Sequence, residues 1–481
     1  MTVSAFILTS CSNEQQDTPT DNNAESPADN AAQNTTEASI FDILPAADFN
    51  GDTFTVYIPP NPDSPVDKGT FVEEEIGEVF NDAVFKRNRK VENEYNVNIE
   101  RLESAQWYTT YDDLNKDVMS GDLRADVYFT HIFYGPAPII ASGLVRDWTD
   151  IPHLDFEKPW WNQTIIKNLN IANKVFYISG SMSIQDPPVI VFNKAMLQAL
   201  ALEDPYKLVR EGKWTIDKLS ELSVVALKDL NGDGKYDQKD DCFGFEYGIT
   251  WQTPSLMYAC DEIFVQIDDD GYPNVQLDNQ RKIEVYEKIY NLLWDGDKTY
   301  CYFGTTSPLA NWPHIGIDSG RVLFCQYTLL GCEVLRAVEV EYGILPLPKY
   351  DENQKDYMTN SWTGMYCLPI NIPEEKFEMI GTVMEAMSAL GYKEVVPVYY
   401  EILLKEKVSR DDDSRDMLDI ILNSMVFDAG LNYEVGSNTI RGFITTMFNS
   451  KNKNYVSEVE KQKEIIIAAY DKLYQDILAA E

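Results

Sequence analysis

Nowhere in this chain do 18 or more apolar residues run together, so no segment is long enough to cross a bilayer as a helix. Positive charge is scarce: 40 Lys and Arg stand against 78 Asp and Glu, a formal charge of −38. Such a surface repels a phosphate backbone, and no basic patch or Lys/Arg run overcomes that locally, which argues against nucleic acid as a partner. Histidine is nearly absent, with His131, His153 and His314 far apart in the chain. Cys242, Cys260, Cys301, Cys325, Cys332 and Cys367 form no CxxC and have no metal-spaced His, which argues against zinc. Some of them could pair, Cys325 with Cys332 closing the shortest loop, and buried free thiols are an equal alternative. There is also no GxSxG, HExxH, P-loop or GxGxxG, so no motif speaks for an enzyme. With 78 carboxylates, some pair would resemble a glycosidase dyad by chance, and no dyad can be read from spacing alone.

What is present suits ordinary buried cores: 44% hydrophobic and 12% aromatic residues over 481 positions, enough for two or three domains. The start, "AFILTSCSNE", has a short apolar stretch, then Leu8-Thr9-Ser10, then Cys11. That order resembles the bacterial lipobox, in which cleavage before the Cys leaves a thiol to carry lipid. "MTVSAFI" has no Lys or Arg, so the positive n-region of a secretory signal is missing, as a truncated or misassigned start would leave it. Residues 12–39 hold six acidic residues, no basic ones and almost no large apolar side chains. Such a composition cannot offset the entropy of ordering and is expected to be a tether, reaching on the order of 30 Å on average and roughly 90 Å extended.

From residue 50 onward, β-rich runs alternate with helical periodicity. "TFTVYI", "VNIERL" and "ADVYFT" read as strands separated by the helical "NDAVFKRNRKVENEYN" and "YDDLNKDVMSGD". This βαβαβ order implies a sheet covered by helices, with ligands outside the carboxyl ends of the strands. "KVFYISG" and "PVIVFNK" flank a polar turn containing Asp186. Further helices are expected in "KWTIDKLSELSVVALKDL", "RKIEVYEKIYNLLWDG", "EEKFEMIGTVMEAMSAL" and "SRDMLDIILNSMVF", and a strand in "GRVLFCQY". The expectation is two α/β lobes with more than one crossing between them.

The order of "GEVFNDAVFKRNRKVENEYNVNIE", "DFEKPWWN", "VIVFNKAML", "EGKWTIDKLSEL" and "YGILPLPKYDENQKDY" resembles the family 1 extracellular solute-binding lipoproteins of bacterial ABC transporters, which mostly capture sugars. The resemblance implies a two-lobed type 2 periplasmic-binding fold, with a hinge between the lobes and a helical C-terminal part. It divides the chain into a signal remnant (1–10), a lipidated Cys and tether (11–49), a first lobe (50–185 plus 361–392) and a second (186–360 plus 393–481). It places hinge segments near Met182 to Pro188, near Asn360 to Gly364 and near Tyr392. It also implies a monomer anchored by lipid on the extracellular face of the cell membrane, delivering an oligosaccharide to a permease. Two alternatives stay open: a tethered calcium-containing carbohydrate-active enzyme, and the same fold binding peptides or another solute.

Two sets of residues carry the chemistry. "DLNGDGKYDQKD" has the spacing of a calcium loop, with Asp229, Asn231, Asp233, the Lys235 carbonyl, Asp237 and Asp240 at positions 1, 3, 5, 7, 9 and 12 and Gly234 at the turn. A strand rather than a helix is expected after it, and "IDDDGYP" is expected to be a hairpin turn, so the loop is unpaired and reads as a structural staple. Sugar recognition needs flat apolar faces beside polar groups. The candidates by position are Asn61, Trp107, Tyr108, His131 and Tyr134 in the first lobe, Asp186 and Trp362 at the hinge, and Trp251 and Trp312 in the second lobe. Trp160 and Trp161 are expected to anchor a loop instead.

Overall fold

The alternation in Asp52–Ile58 (β1) puts Phe54, Val56 and Ile58 on one face and Tyr57 on the other. The computed structural model describes residues 39–58, 69–103, 106, 109–131, 136–237, 240–249, 253–303, 316–337, 339–361, 364–403, 412–436 and 439–480. Helix α1 (Val79–Tyr95) follows, opened by Glu78, whose carboxylate accepts from the N–H groups of Phe80 and Asn81 at 3.2 and 2.7 Å. Asn96, left-handed at φ 48°, closes it. Strand β2 (Val97–Glu103), helix α2 (Thr110–Ser120) and strand β3 (Val127–His131) complete the first unit. The densest basic stretch, Lys86 to Lys90, makes no free cationic patch. Arg87 is buried, donating to the Gly69 and Thr70 carbonyls, and Lys86, Arg89 and Lys90 pair with Glu75, Glu92 and Glu394.

Two five-stranded sheets carry the architecture. The first has the order β2-β1-β3-β13-β4, where β4 is Val145–Arg146 and β13 is Gly364–Pro369. The second has the order β11-β5-β10-β6-β9, with β5 Pro188–Asn193, β6 Phe243–Ile249, β9 Thr299–Phe303, β10 Val322–Thr328 and β11 Tyr342–Leu345. Between them in sequence, 174–180 makes only isolated bridges, Trp161 to Gly180 and Ile178 to Tyr366. Val265–Ile267 (β7) and Pro273–Val275 (β8) pair antiparallel around "DDDGY", the expected hairpin.

Helices cover both sheets. Helix α3 (Pro136–Ala141) flanks the first sheet, and Ile216–Ala226 (α4) and Gln280–Trp294 (α5) flank the second. The hydroxyl of Thr215 caps α4, which starts the helix after Trp214 rather than at Lys213. Trp214 is instead a core residue whose indole donates to the Pro346 carbonyl at 2.9 Å. Helix α6 (Phe377–Leu390) packs Met379, Ile380, Val383, Met384 and Met387 beneath β1 and β3. "SRDMLDIILNSMVF" is helical only within Asp412–Asn423 (α7); Met425–Val426 (β14) pairs in parallel with Thr359–Asn360 (β12). The last helix, Tyr455–Ala479 (α8), packs on β8, α5 and α3, with Ile466, Tyr470, Leu473 and Ile477 in the same core as Ile139 and Ile140. α1 shares side chains between two cores: Val91 and Tyr95 lie in that of the first sheet, Phe80 and Val84 in one that also holds Val189 and Val191 of the second.

Trp160 and Trp161 anchor the "KPWWN" loop. Both indoles donate to the Glu385 carboxyl of α6, at 2.9 and 2.8 Å, and Trp161 is buried. Burial pushes Glu385 up to about 7 from an ordinary 4.5. The folded chain therefore holds this proton over a window in which the unfolded chain has released it. The stability it contributes is complete below about pH 4.5 and declines as pH rises through about 7. Glu385→Gln leaves one acceptor for two indoles and is expected to cost about 1–3 kcal/mol at pH 5 in urea unfolding. The variant lacks the wild-type decline, so the gap between the two proteins should narrow at pH 8; a gap that widens would contradict this role.

Candidate functional site

Strand direction places the site. β1, β2 and β3 run parallel, whereas β13 is antiparallel to β3, its first residue Gly364 paired with the last residue of β3, His131. In the second sheet β6, β9 and β10 run parallel, and β5 is antiparallel to β10, its first residue Pro188 paired with the last residue of β10, Thr328. The chain thus enters β5 and β13 at the carboxyl edges of both sheets. The two crossings, Ser179 to Pro187 and Ser361 to Gly364, join these edges, and a ligand site between them follows from the topology.

Of the expected ligand residues, His131 has its backbone at this edge. Asp186 lies in the first crossing, half-buried, its Oδ1 accepting from the Leu330 N–H at 2.8 Å, so it ties the crossing to the segment after β10. Asn61, Trp107, Tyr108, Tyr134, Trp251, Trp312 and Trp362, like Cys11, lie outside the described residues.

The crossings touch through polar side chains. Ser361 Oγ donates to Gln185 Oε1 at 3.3 Å, and Gln185 Nε2 donates to Ser179 Oγ at 3.3 Å. Beside this seam stand residues that a search for aromatics passes over. Gln326 of β10 and Asn360 of β12 are 5% and 1% exposed, and neither polar atom of either amide has a hydrogen bond. Among the described residues they are the two side chains with both heteroatoms buried and unpartnered. An unpartnered buried polar group costs about 1–3 kcal/mol, and native chains keep one where water or a ligand completes it. The signal was present in "VLFCQYT", a lone amide within an apolar strand.

The calcium-spaced loop lies at the other edge. It connects α4 to the amino end of β6. The Asp229 carboxylate accepts from the N–H groups of Gly232 and Gly234 at 2.6 and 2.9 Å. Asn231 accepts from Asp233 N at 2.9 Å, Asp233 from Lys235 N at 2.8 Å, and Asp237 from Asp240 N at 3.0 Å. Asp241, missed in the sequence, clasps the loop: its two oxygens accept from Leu230 N and Asp237 N, both at 2.8 Å. These N–H bonds, that from Asp237 foremost, hold its carboxyl below the usual range. Among the described residues, no three His, Cys, Asp or Glu side chains are gathered closely enough to hold a metal ion. The six cysteines among the described residues are thiols, Cys260, Cys325, Cys332 and Cys367 of them buried.

No family model and no curated protein sequence matches the chain. Solved structures do. An ABC substrate-binding protein from Listeria monocytogenes, in complex with cycloalternan, is 12% identical with a TM-score of 0.54, over 86% of this chain and 99% of its own. A cyclic α-maltosyl-1,6-maltose binding protein from Arthrobacter globiformis is 14% identical with a TM-score of 0.55, over 89% and 98%. UspC from M. tuberculosis is 12% identical with a TM-score of 0.57, over 88% and 100%. The chain has the two-lobed periplasmic-binding fold. The carboxyl edges of both sheets meet the two crossings in this topology, and sheets of this kind bind ligands outside those edges. The helical C-terminal part belongs to the same α/β architecture.

Proposed function

We propose that this chain is the substrate-binding component of an ABC transporter, closing its two lobes on a carbohydrate, an oligosaccharide, and delivering it to a permease. The observation that carries this reading is the extent of the fold: a two-lobed body matching 97 to 100% of the length of several saccharide-binding proteins, with the carboxyl edges of both sheets joined by the crossings. Lobes close on a ligand that contacts both, because the closed form gains the contacts of both walls. The reading includes no bond-breaking step. In its support, each buried carboxylate among the described residues already has a partner. Asp117 holds Arg124, Asp126 holds Thr55 N and Lys376, and Glu262 holds Lys282. Glu246 holds Gly316 N, Asp241 clasps its loop, Glu385 takes two indoles, and Asp428 takes Tyr258 and three main-chain N–H groups.

A thermal-shift screen tests this against the peptide and enzyme alternatives. A neutral oligosaccharide at about one hundred times its Kd should stabilise the fold by about 2.7 kcal/mol, and chromatography should show the sugar intact. A melting shift with peptides alone, or turnover by pure protein, would overturn it.

The anchor and the cation form part of the same proposal. Cys11, preceded by Leu8-Thr9-Ser10 and followed by an acidic tether, would carry lipid and hold a monomeric body at the extracellular face of the cell membrane. Cys11→Ser in an expressing cell should move the protein from the detergent phase to the aqueous phase; retention in detergent would sink the anchor. Calcium would use the side chains of Asp229, Asn231, Asp233, Asp237 and Asp240 with the Lys235 carbonyl. In its support, Asn231 and Asp233 hold the turn by accepting from the N–H groups of Asp233 and Lys235, a turn of the kind from which oxygen ligands converge. Binding would draw these oxygens together and staple the entry to β6, away from the carboxyl edge. Calcium should therefore raise the melting temperature of the wild type by several degrees and leave Asp229→Asn/Asp233→Asn unmoved, while saccharide affinity survives mild chelation. Loss of that affinity in a still folded protein would contradict a structural role.

A further inference from the structure

The unpartnered amides of Gln326 and Asn360 have a defined place in the fold. Gln326 pairs across β10 with Ile190 of β5, and two residues later Thr328 pairs with Pro188 at the strand end. The Pro188 carbonyl accepts from Thr359 Oγ1 at 3.4 Å, and Thr359 is the neighbour of Asn360. Ser255 opens a short helix, Ser255–Ala259, that packs on β12, and its Oγ is likewise buried and unpartnered. All three side chains therefore stand where the carboxyl edge of the second sheet meets the second crossing. Ser361, next to Asn360, is the residue that bonds to the first crossing.

The acids in this part of the molecule are committed elsewhere: Asp186 to Leu330 N, Glu246 to Gly316 N, and Asp428 to Phe264, Val265 and Gly430 N. What remains open is two carboxamides, each with one acceptor oxygen and two N–H donors side by side. A pair of adjacent hydroxyls, each both donor and acceptor, matches that set. An ionised carboxylate or ammonium would gain no opposite charge from the two amides and would be desolvated at a large cost.

We infer that Gln326 and Asn360 form a hydroxyl-binding subsite in the floor of the cleft, taking an uncharged polyhydroxylated ligand and rejecting charged solutes. This rests on the carbohydrate reading and narrows it to neutral saccharides. The amides gain their partners only when the ligand is present, so they contribute to the closed, liganded state and are a burden on the empty one.

The test uses the full chain, with Gln326→Met and Asn360→Leu as shape-conserving variants and Gln326→Ala and Asn360→Ala as a second pair. Unliganded melting temperature is measured first, then affinity by calorimetry for a panel of neutral gluco-, manno-, galacto- and xylo-oligosaccharides and for uronic-acid oligosaccharides. The expected result is an unchanged or raised melting temperature in the shape-conserving variants, with neutral-saccharide affinity weakened roughly ten- to hundred-fold per amide. Variants that bind like the wild type, or a wild type that prefers the uronic-acid ligands, overturn the subsite and leave the carbohydrate reading standing. Variants with lowered melting temperature and unchanged affinity, or none that fold, show the amides to be structural and also overturn it. A wild type that binds no saccharide removes the carbohydrate reading and the subsite together.

Discussion

Everything in the arrangement of the two lobes depends on the antiparallel entry of β13 between β3 and β4. Because Gly364 pairs with His131, the returning chain must enter the first sheet at its carboxyl edge, the edge at which β1, β2 and β3 end. The contact is sterically exacting. A Cβ on Gly364 would fall 1.6 Å from the Phe129 ring, so the strand accepts only glycine there without displacing a core aromatic. β5 does the same in the second sheet, where Pro188 meets Thr328. Two antiparallel insertions thus turn two parallel sheets toward common crossings, and the cleft is a consequence of strand direction before any side chain is considered.

The cores and the crossings follow different physical rules. Each sheet is closed by apolar faces, with α6 under β1 and β3 and Val189 and Val191 against α1. The crossings are joined by Ser179, Gln185 and Ser361. Dispersion and burial make the lobes rigid; neutral hydrogen bonds, exchangeable with water or hydroxyls, suit the segments that must move. Helix α1 contributes side chains to a core with each sheet, and α8 joins α3 to β8 and α5.

Much of the fold was legible from local pattern. The βαβαβ start, the long helices and the turn in "IDDDGYP" follow from periods of two and 3.6 and from Gly-Asp chemistry, which act over a few residues. The errors were of range. "NSMVF" has apolar spacing that a helix could continue, yet Met425 and Val426 leave the helix because β12, more than sixty residues earlier in the chain, offers them a ladder. Trp214 looked like a helix start and became core because Pro346 supplies its acceptor. The site was less legible, since recognition by aromatics has no spacing, and Asp241 is visible only once Leu230 N and Asp237 N converge on it.

The sequence by itself determined the character of each piece: acidic surface, apolar strands, a calcium-spaced turn, a Cys after a short apolar run, and no motif for bond-breaking chemistry. These are properties of composition and near neighbours. Tertiary structure alone decided position. It set the calcium-spaced turn at the amino end of β6 rather than at the cleft edge, and gave Glu385 two indoles from a loop over two hundred residues away. It also left Gln326 and Asn360 buried without partners at the meeting of two crossings. An amide in a strand is unremarkable until burial removes its water, and burial is decided by segments distant in the chain.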